Sequence, residues 1–174
     1  MPPSYKIVVT GPFSAGKTKF IKTISDIEVV STERRIRQIT HREKGVKAQT
    51  TVAMDYGRVA LADKTLHLHG TPGQARFDFM WDILSREMAG FVLLVDSTDP
   101  TTFPDARELI DLFTEGRRQP PYVVAANKQD VDGAASHTRI HHALDLPRNV
   151  LVLPCVASRK TSVRQVLAQL AEML

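Results

Sequence analysis

The sequence of 174 residues contains few features that would cross-link it or anchor it in a membrane. Its single cysteine, Cys155, excludes an intramolecular disulfide and a cysteine-rich zinc site. No apolar run approaches the roughly 20 residues that a membrane-spanning helix needs, which excludes an integral membrane protein. Aromatic residues make up only 6% of the chain. They do not interleave with its basic residues, which argues against a surface that stacks nucleic-acid bases.

What remains is the composition of a globular domain. Hydrophobic residues account for 43% of the chain and charged residues for 24%, close to the average for folded proteins. The length fits a single domain over 1–174. The first residues, Met1–Ser4, show no signal segment, and the last residues contain no prenylation cysteine. We therefore expect a cytoplasmic domain without a membrane anchor of its own, which a partner could still bring to a membrane.

The net charge of +4 is concentrated in the first third of the chain. Residues 1–60 contain 11 Lys or Arg against 5 Asp or Glu. Most of this excess falls between Glu28 and Gln49, the least patterned segment, and a connection of that length is usually functional or mobile. We expect these side chains to be solvated or to meet a protein partner, and we expect no nucleic-acid partner. The basic residues are Arg34, Arg35, Arg37, Arg42, Lys44 and Lys47.

Strand and helix patterns alternate along the chain. Short apolar or β-branched runs predict strands, and apolar residues three and four apart predict the helices between them. A turn at 62–64 joins two of the strands as a hairpin. This order predicts an α/β fold with a mostly parallel six-stranded sheet, one antiparallel edge strand and helices on both faces. The predicted strands are 5–9, 52–61, 66–68, 91–95, 122–126 and 150–153, and the helical patterns lie at 20–27, 77–88, 103–113, 136–144 and 163–174.

The most specific motif is the octapeptide GPFSAGKT at 11–18, which fits the phosphate-loop pattern G-x-x-x-x-G-K-[ST]. It follows a predicted strand and opens a predicted helix. Its glycines let backbone N–H groups turn toward phosphate oxygens, and the helix N-terminus adds a favourable dipole. Lys17 is predicted to reach the β- and γ-phosphates, and the Thr18 hydroxyl to ligate Mg²⁺. The predicted phosphate-binding residues of this P-loop NTPase are Gly11, Ser14, Ala15, Gly16, Lys17 and Thr18.

A second motif, Asn127-Lys128-Gln129-Asp130, indicates which base the nucleotide carries. It follows the predicted strand 122–126, so it lies at the carboxyl end of a strand, where ligands bind in such sheets. A carboxylate at Asp130 can accept from both the ring N–H and the amino group of guanine. Adenine offers no matching pair of donors, and a buried group left unpaired discriminates strongly. The motif therefore predicts guanine binding through Asn127, Lys128 and Asp130.

Together these residues resemble the Ras-like small GTPases over essentially the whole chain. The segment TVAMDYG at 51–57 is similar to the Rab-type TIGVDFG, which implies that Thr51 ligates Mg²⁺ and senses the γ-phosphate. The segment GTPGQ at 70–74 is similar to the family's D-x-x-G-Q. The resemblance implies that Gly73 N–H contacts the γ-phosphate and that Gln74 orients the attacking water. Lys17, Thr51 and Gln74 are then the catalytic residues, and Thr18 and Thr51 the metal ligands.

The base-contacting loop of the family corresponds to Cys155-Val156-Ala157, in which Val156 and Ala157 are the implied nucleotide contacts. The residues of these motifs are most similar to those of a prokaryotic Ras/Rab-like subgroup, the MglA-like and conservon-type ATP/GTP-binding proteins. Members of that subgroup are associated with roadblock-type partners and sensor proteins. The resemblance therefore implies protein regulators and effectors, with roadblock-type proteins among the candidates.

Three residues depart from the family pattern. Gly70 stands where relatives carry an aspartate that holds Mg²⁺ through water. Phe13 stands where relatives carry a glycine that admits an arginine finger, and Pro72 stiffens the segment that follows Gly70. These departures predict slow hydrolysis without a partner, unless an arginine of the basic segment reaches the transferring phosphate from within the chain.

The sequence thus predicts a molecular switch that binds GTP and GDP with Mg²⁺, hydrolyses GTP slowly and signals to protein partners. A nucleotide-binding scaffold that hydrolyses nothing is the first alternative, which Phe13 and Gly70 favour. A phosphate-loop ATPase or kinase is the second, and it leaves Asp130 without a role.

Overall fold

The computed structural model describes residues 1–39, 47–71, 84–116 and 118–174, and for 32–39 and 47–53 it describes the backbone alone. The predicted helical stripe at 77–88 therefore falls mostly outside the described residues. The described part forms one sheet with helices on both faces. The strands are β1 Ser4–Thr10, β2 Val30–Ile39, β3 Lys47–Leu61, β4 Lys64–Gly70, β5 Gly90–Asp96, β6 Tyr122–Asn127 and β7 Val152–Pro154.

The sheet has the strand order β2-β3-β4-β1-β5-β6-β7. Strands β4, β1, β5, β6 and β7 pair in parallel, whereas β3 is antiparallel to both β2 and β4. The predicted α/β class, with its mostly parallel sheet and antiparallel edge, is confirmed. The strand number is seven and not six, because residues 30–39 form the edge strand β2. Their sequence, VSTERRIRQI, lacks the alternation of apolar and polar residues that predicts a strand.

Strands β2 and β3 form a two-stranded ribbon at this edge. Val30 pairs with Tyr56 at its base and Ile39 with Lys47 at its tip. Strand β4 pairs with β3 only over Tyr56–Leu61, so the tip half of the ribbon extends past the other strands. We call the paired segments 30–39 and 47–56 the β2–β3 ribbon.

Alternate side chains of the central strands supply the two halves of the core. Ile7 and Val9 of β1 point to one face, and Val8 points to the other. Helices α1 and α4 cover the first face, and α2 and α3 cover the second. Within the described residues, no helix is both long enough and apolar enough to cross a membrane. The helices are α1 Lys17–Ile24, α2 Phe103–Thr114, α3 His137–Ala143 and α4 Lys160–Ala171.

The parallel register gathers the carboxyl ends of the strands at one edge of the sheet. Thr10 of β1 pairs with Leu93 of β5, and Asp96 of β5 pairs with Asn127 of β6. The loops that follow β1, β5 and β6 therefore start beside one another. Both sequence motifs lie in these loops, which is where open α/β sheets bind ligands.

Candidate functional site

The phosphate loop is held between β1 and α1 by backbone contacts that only glycine permits. Gly11 and Gly16 have positive φ angles of 153° and 101°. A Cβ on Gly11 would collide with the Leu94 carbonyl oxygen, and one on Gly16 would collide with the Asn127 side-chain amide. Helix α1 then begins at Lys17, and the Phe20 N–H donates to the Gly16 carbonyl over 2.9 Å. The motif thus forms the strand–loop–helix arrangement that its sequence predicts.

Lys17 lies across this loop. Its Nζ donates to the Gly11 carbonyl over 2.6 Å and to the Pro12 carbonyl over 2.9 Å. Burial lowers the pKa of Lys17 to about 8, although the nearby Asp55 charge opposes this effect. An anionic group in the loop would favour the charged form of this lysine.

Asp55 of β3, which belongs to the segment 51–57 but received no role from the sequence, lies beside the phosphate loop. The Thr18 hydroxyl donates to Asp55 Oδ2 over 2.5 Å, and the Ser31 hydroxyl donates to Asp55 Oδ1 over 2.7 Å. On its other side Asp55 faces Gly70, where an added Cβ would lie 3.4 Å from the Asp55 Cβ. The absence of a side chain at Gly70 therefore leaves room beside this carboxylate.

The hairpin turn could have revealed this pair from the sequence. Leu61 pairs with Lys64 across the turn, and the same register brings Tyr56 opposite His69. One further step places Asp55 opposite Gly70. The signal was present, but using it requires a register that motif matching does not consider.

Asn127 joins three segments of the site. Its buried side chain donates from Nδ2 to the Ala15 carbonyl over 2.8 Å, and its Oδ1 accepts from the Ala157 N–H over 2.9 Å. The predicted phosphate loop, base motif and 155–157 loop are thereby brought together. Because the Ala157 N–H donates to Asn127 here, its predicted contact with a guanine carbonyl stays a prediction, as does that of Val156.

The two other residues of the base motif differ in their surroundings. Lys128 Nζ contacts Asp96 Oδ2 at 2.6 Å, at the end of the neighbouring strand. Burial opposes ionisation of Asp96, but hydrogen bonds from Lys128 and Thr98 outweigh it and lower the pKa of this carboxyl. Asp130 is exposed, so its carboxylate is free to meet a ligand from solvent.

Other predicted site residues are not brought to the phosphate loop or are not described. The backbone of Thr51 lies in the β2–β3 ribbon, opposite Arg35. It is four residues from Asp55, a distance of about 13 Å along an extended strand. Gly73 and Gln74 lie outside the described residues, as do Pro72 and Arg42.

An open cleft of about 630 Å³ runs along the phosphate loop and α1. Its wall includes Phe13, whose side chain is 67% exposed. Oxygen atoms of Thr18 and Asp55 reach this cleft together, and hydroxyl and carboxylate oxygens are the ligands that Mg²⁺ prefers. Among the residues that the structure describes, no group of three or more His, Cys, Asp and Glu forms another candidate metal centre.

This fold, with its phosphate loop between β1 and α1, is the fold of the Ras-like small GTPases. Its structure is similar to that of the Arl6 BBS3 small GTPase from Trypanosoma brucei with bound nucleotide analogue GppNp. The TM-score is 0.75 at 18% identity, covering 98% of this chain and 96% of the other. The sequence is 28% identical to ADP-ribosylation factor-related protein 1 of Rattus norvegicus over 137 residues, 76% of this chain and 63% of that protein.

The family itself is shown by a second pair of matches. The chain belongs to the family described as "Conserved hypothetical ATP binding protein", whose model matches residues 9–174. It is also 32% identical over 126 residues to the uncharacterized protein MJ1339 of Methanocaldococcus jannaschii, covering 72% of this chain and 71% of that protein. The shared fold and the similarity to ADP-ribosylation factor-related protein 1 support the Ras-like superfamily that the sequence predicts. The predicted prokaryotic subgroup stays a prediction.

Proposed function

We propose that this protein is a guanine-nucleotide switch, which binds GTP and GDP with Mg²⁺ and hydrolyses GTP slowly. The observation that carries the proposal is the double hydrogen bond of Asn127 to Ala15 and Ala157. It fixes the position of the phosphate loop relative to the segment that contains Asp130. A site built this way can hold the phosphates and the base of one nucleotide together.

The choice of guanine rests on Asp130, although the family description names ATP. An exposed carboxylate at this position can accept two hydrogen bonds from the guanine ring edge. Adenine would present a ring nitrogen there, which is an acceptor and would leave the carboxylate unpaired. The relatives named ADP-ribosylation factor-related protein and Arl6 small GTPase are consistent with this choice.

The metal ligands that we propose are Thr18, Asp55 and Thr51. Asp55 would bind Mg²⁺ from β3. It faces Gly70, the position at which the Ras-like small GTPases carry an aspartate. Bound Mg²⁺ would neutralise phosphate charge. Thr51 can join only after the tip half of the β2–β3 ribbon opens, because its backbone is paired far from Thr18. A nucleotide that draws Thr51 to the metal would therefore change the shape of this edge of the molecule.

For hydrolysis we propose in-line attack of water on the γ-phosphate. Lys17 neutralises charge on the phosphates and Gln74 orients the water. The exposed Phe13 ring stands over the same cleft and obstructs an arginine offered by a partner, so we expect slow turnover. Single-turnover hydrolysis faster than about 1 s⁻¹ without a partner would contradict this expectation.

The test is displacement of a fluorescent GDP analogue from the full chain with Mg²⁺ present. Displacement by GTP and GDP, but not by ATP, supports the guanine proposal. Equal displacement by ATP would favour a phosphate-loop ATPase or kinase, as the family description suggests. Binding of guanine nucleotides without any turnover would instead favour a scaffold that holds GTP or GDP as part of its structure.

The output of such a switch is a change of surface that protein partners recognise. We propose regulators and effectors that bind the ribbon and the 70–79 segment, with roadblock-type proteins among the candidates and no nucleic acid. We further propose that residues 1–174 act as one nucleotide-binding domain in the cytoplasm.

A further inference from the structure

We infer that Ser31 is a positioning residue for Mg²⁺, which holds the Asp55 carboxylate in the orientation that the metal site needs. The inference rests on the proposed function, because it assigns a residue to the metal site of that switch. Ser31 belongs to none of the motifs and lies at the base of the β2–β3 ribbon, in a different strand from every proposed ligand.

The geometry around Asp55 leaves the carboxylate one well-defined position. Ser31 is directly opposite Asp55 in the β2–β3 register, and its hydroxyl donates to Oδ1 over 2.7 Å. The other oxygen, Oδ2, accepts from Thr18. The Ile21 side chain lies below the neighbouring Gly70, so the sheet surface on that side is apolar. The described contacts therefore hold the carboxylate by one hydroxyl at each of its two oxygens.

Mg²⁺ binding affects the hydrogen bonds of these two hydroxyls to Asp55 differently. Thr18 is itself a proposed metal ligand, so its hydroxyl oxygen would turn to the metal and cease to orient Asp55. The Ser31 hydroxyl has no such second task and keeps its hydrogen bond to Oδ1. Residues that orient a metal-binding carboxylate through a hydrogen bond typically change metal affinity about 10- to 100-fold when removed. Because Ser31 is exposed, we expect the lower end of that range.

This assignment also ties the metal site to the ribbon. Ser31 is the second residue of β2, adjacent to the Val30–Tyr56 pair that begins the ribbon. Opening of the ribbon tip leaves this base pair in place, whereas opening of the whole ribbon withdraws Ser31 from Asp55. Mg²⁺ affinity should therefore report how far the ribbon has opened.

The experiment measures release of fluorescent GDP from the full chain at a series of free Mg²⁺ concentrations. We expect Mg²⁺ to slow release, so that the concentration giving half of the effect measures the affinity of the site. We expect Ser31→Ala to raise this concentration about tenfold, and Ser31→Thr, which keeps the hydroxyl, to restore it to within about threefold. Ser4→Ala, at an exposed serine that begins β1, is the matched control and should change nothing.

Two further readings separate positioning from a merely structural role. The release rate without Mg²⁺ and the thermal midpoint should stay at their wild-type values in Ser31→Ala. In an Asp55→Ala background, Ser31→Ala should have no further effect, because its only route to the metal is gone. An unchanged Mg²⁺ response, or an equal effect with and without Asp55, would overturn the inference while leaving the proposed function intact. Failure of the wild-type chain to bind the GDP analogue would overturn both.

Discussion

Asp130 is exposed in the loop that follows β6, and its carboxylate oxygens accept hydrogen bonds from a base. Asp130→Asn exchanges one of these acceptors for an amide donor, which suits the second carbonyl of xanthine. We expect affinity for GDP to fall by about 100-fold or more, with a gain in affinity for XDP. Competition of both nucleotides against fluorescent GDP and fluorescent XDP measures the change. ATP affinity should stay unaltered, and retention of GDP affinity in this variant would contradict the role of Asp130.

Asp55 of β3 and Gly70 of β4 face each other on neighbouring strands, so a carboxylate can be removed from the first position and added at the second. Asp55→Ala should weaken Mg²⁺ binding about 10- to 100-fold, measured through Mg²⁺-dependent nucleotide release. Adding Gly70→Asp to that variant should recover most of the loss, because the new carboxylate enters the same space. Its Cβ would lie 3.1 Å from Ile21 Cδ1, so this flexible side chain must shift by a few tenths of an ångström. Gly70→Asn in the same background is the control, and recovery by Asn as well would rule out a charge effect.

Lys17 should make nucleotide binding sensitive to pH in a range where lysine is normally inert. Burial lowers the pKa of Lys17 to about 8, and phosphate binding favours its charged form. Affinity should therefore be full below pH 7 and fall through pH 8, by about tenfold at pH 9. The guanine ring titrates in this range too, so Lys17→Ala provides the baseline. Equal pH profiles for the two proteins would contradict the low pKa.

The lowered pKa of Lys17 has the opposite effect on the stability of the nucleotide-free protein, which should rise with pH. Between about pH 8 and the ordinary lysine pKa, the unfolded chain holds a proton at Lys17 that the folded chain has lost. Stability of the nucleotide-free protein should therefore gain from this residue as the pH rises through that window. Denaturant titrations of the wild type and Lys17→Ala at pH 7.5 and 10 would measure the difference.

At the level of whole elements, the strands most easily predicted were those buried on both faces. The runs at 91–95 and 122–126 are continuously apolar because helices cover both sides of β5 and β6, and the structure contains both strands. The β2 strand was missed for the opposite reason. It lies at the sheet edge and gains its conformation from pairing with β3, which leaves little imprint on its side-chain pattern.

The residues of the candidate site also fall into two groups, those that the sequence predicts and those that it does not. The phosphate loop and Asn127 follow from local motifs, because each needs a fixed residue type at a fixed spacing. Asp55 and Ser31 follow from pairing between strands, which short motifs do not encode. The positions of Gly73 and Gln74 remain predictions from the resemblance.

The β2–β3 ribbon must open at its tip if Thr51 is to reach the metal. A disulfide between Arg34→Cys and Val52→Cys, which are opposite in the register, would keep it closed. We expect the oxidised variant to bind GDP normally but to hydrolyse GTP about tenfold more slowly or worse, since a metal ligand is withheld. Burial raises the pKa of the native Cys155 thiol to about 11, so it should not compete for oxidation.

The reduced form of this double variant is its own control, and each single cysteine variant should respond to neither oxidant nor reductant. Equal hydrolysis by the oxidised and reduced forms would show that Thr51 is not needed at the metal.

For the molecule as a whole, bound nucleotide should stabilise the folded state, because its site connects β1, β5 and β6. A ligand at 1,000 times its dissociation constant adds about 4 kcal/mol to the free energy of unfolding. For a chain of this size that corresponds to a rise in the thermal midpoint of roughly 8–16 °C. Calorimetry with GDP and Mg²⁺ should show this rise, ATP should not reproduce it, and Asp130→Asn should lose it. A shift with ATP equal to that with GDP would contradict guanine selectivity.

The hydrogen bonds of Asn127 have a consequence for the synthesis of the protein. Asn127 is synthesised 112 residues after Ala15, and Ala157 a further 30 residues later. At about 5–20 residues per second, roughly 7–28 s pass between the synthesis of Ala15 and that of Ala157. Strand β5 is made during that interval, but the Ala157 N–H that donates to Asn127 comes only at its end. The hydrogen bonds that join the phosphate loop to the base motif and the 155–157 loop can therefore form only after Ala157 has been made, and we expect the chain to bind its nucleotide no earlier than this point.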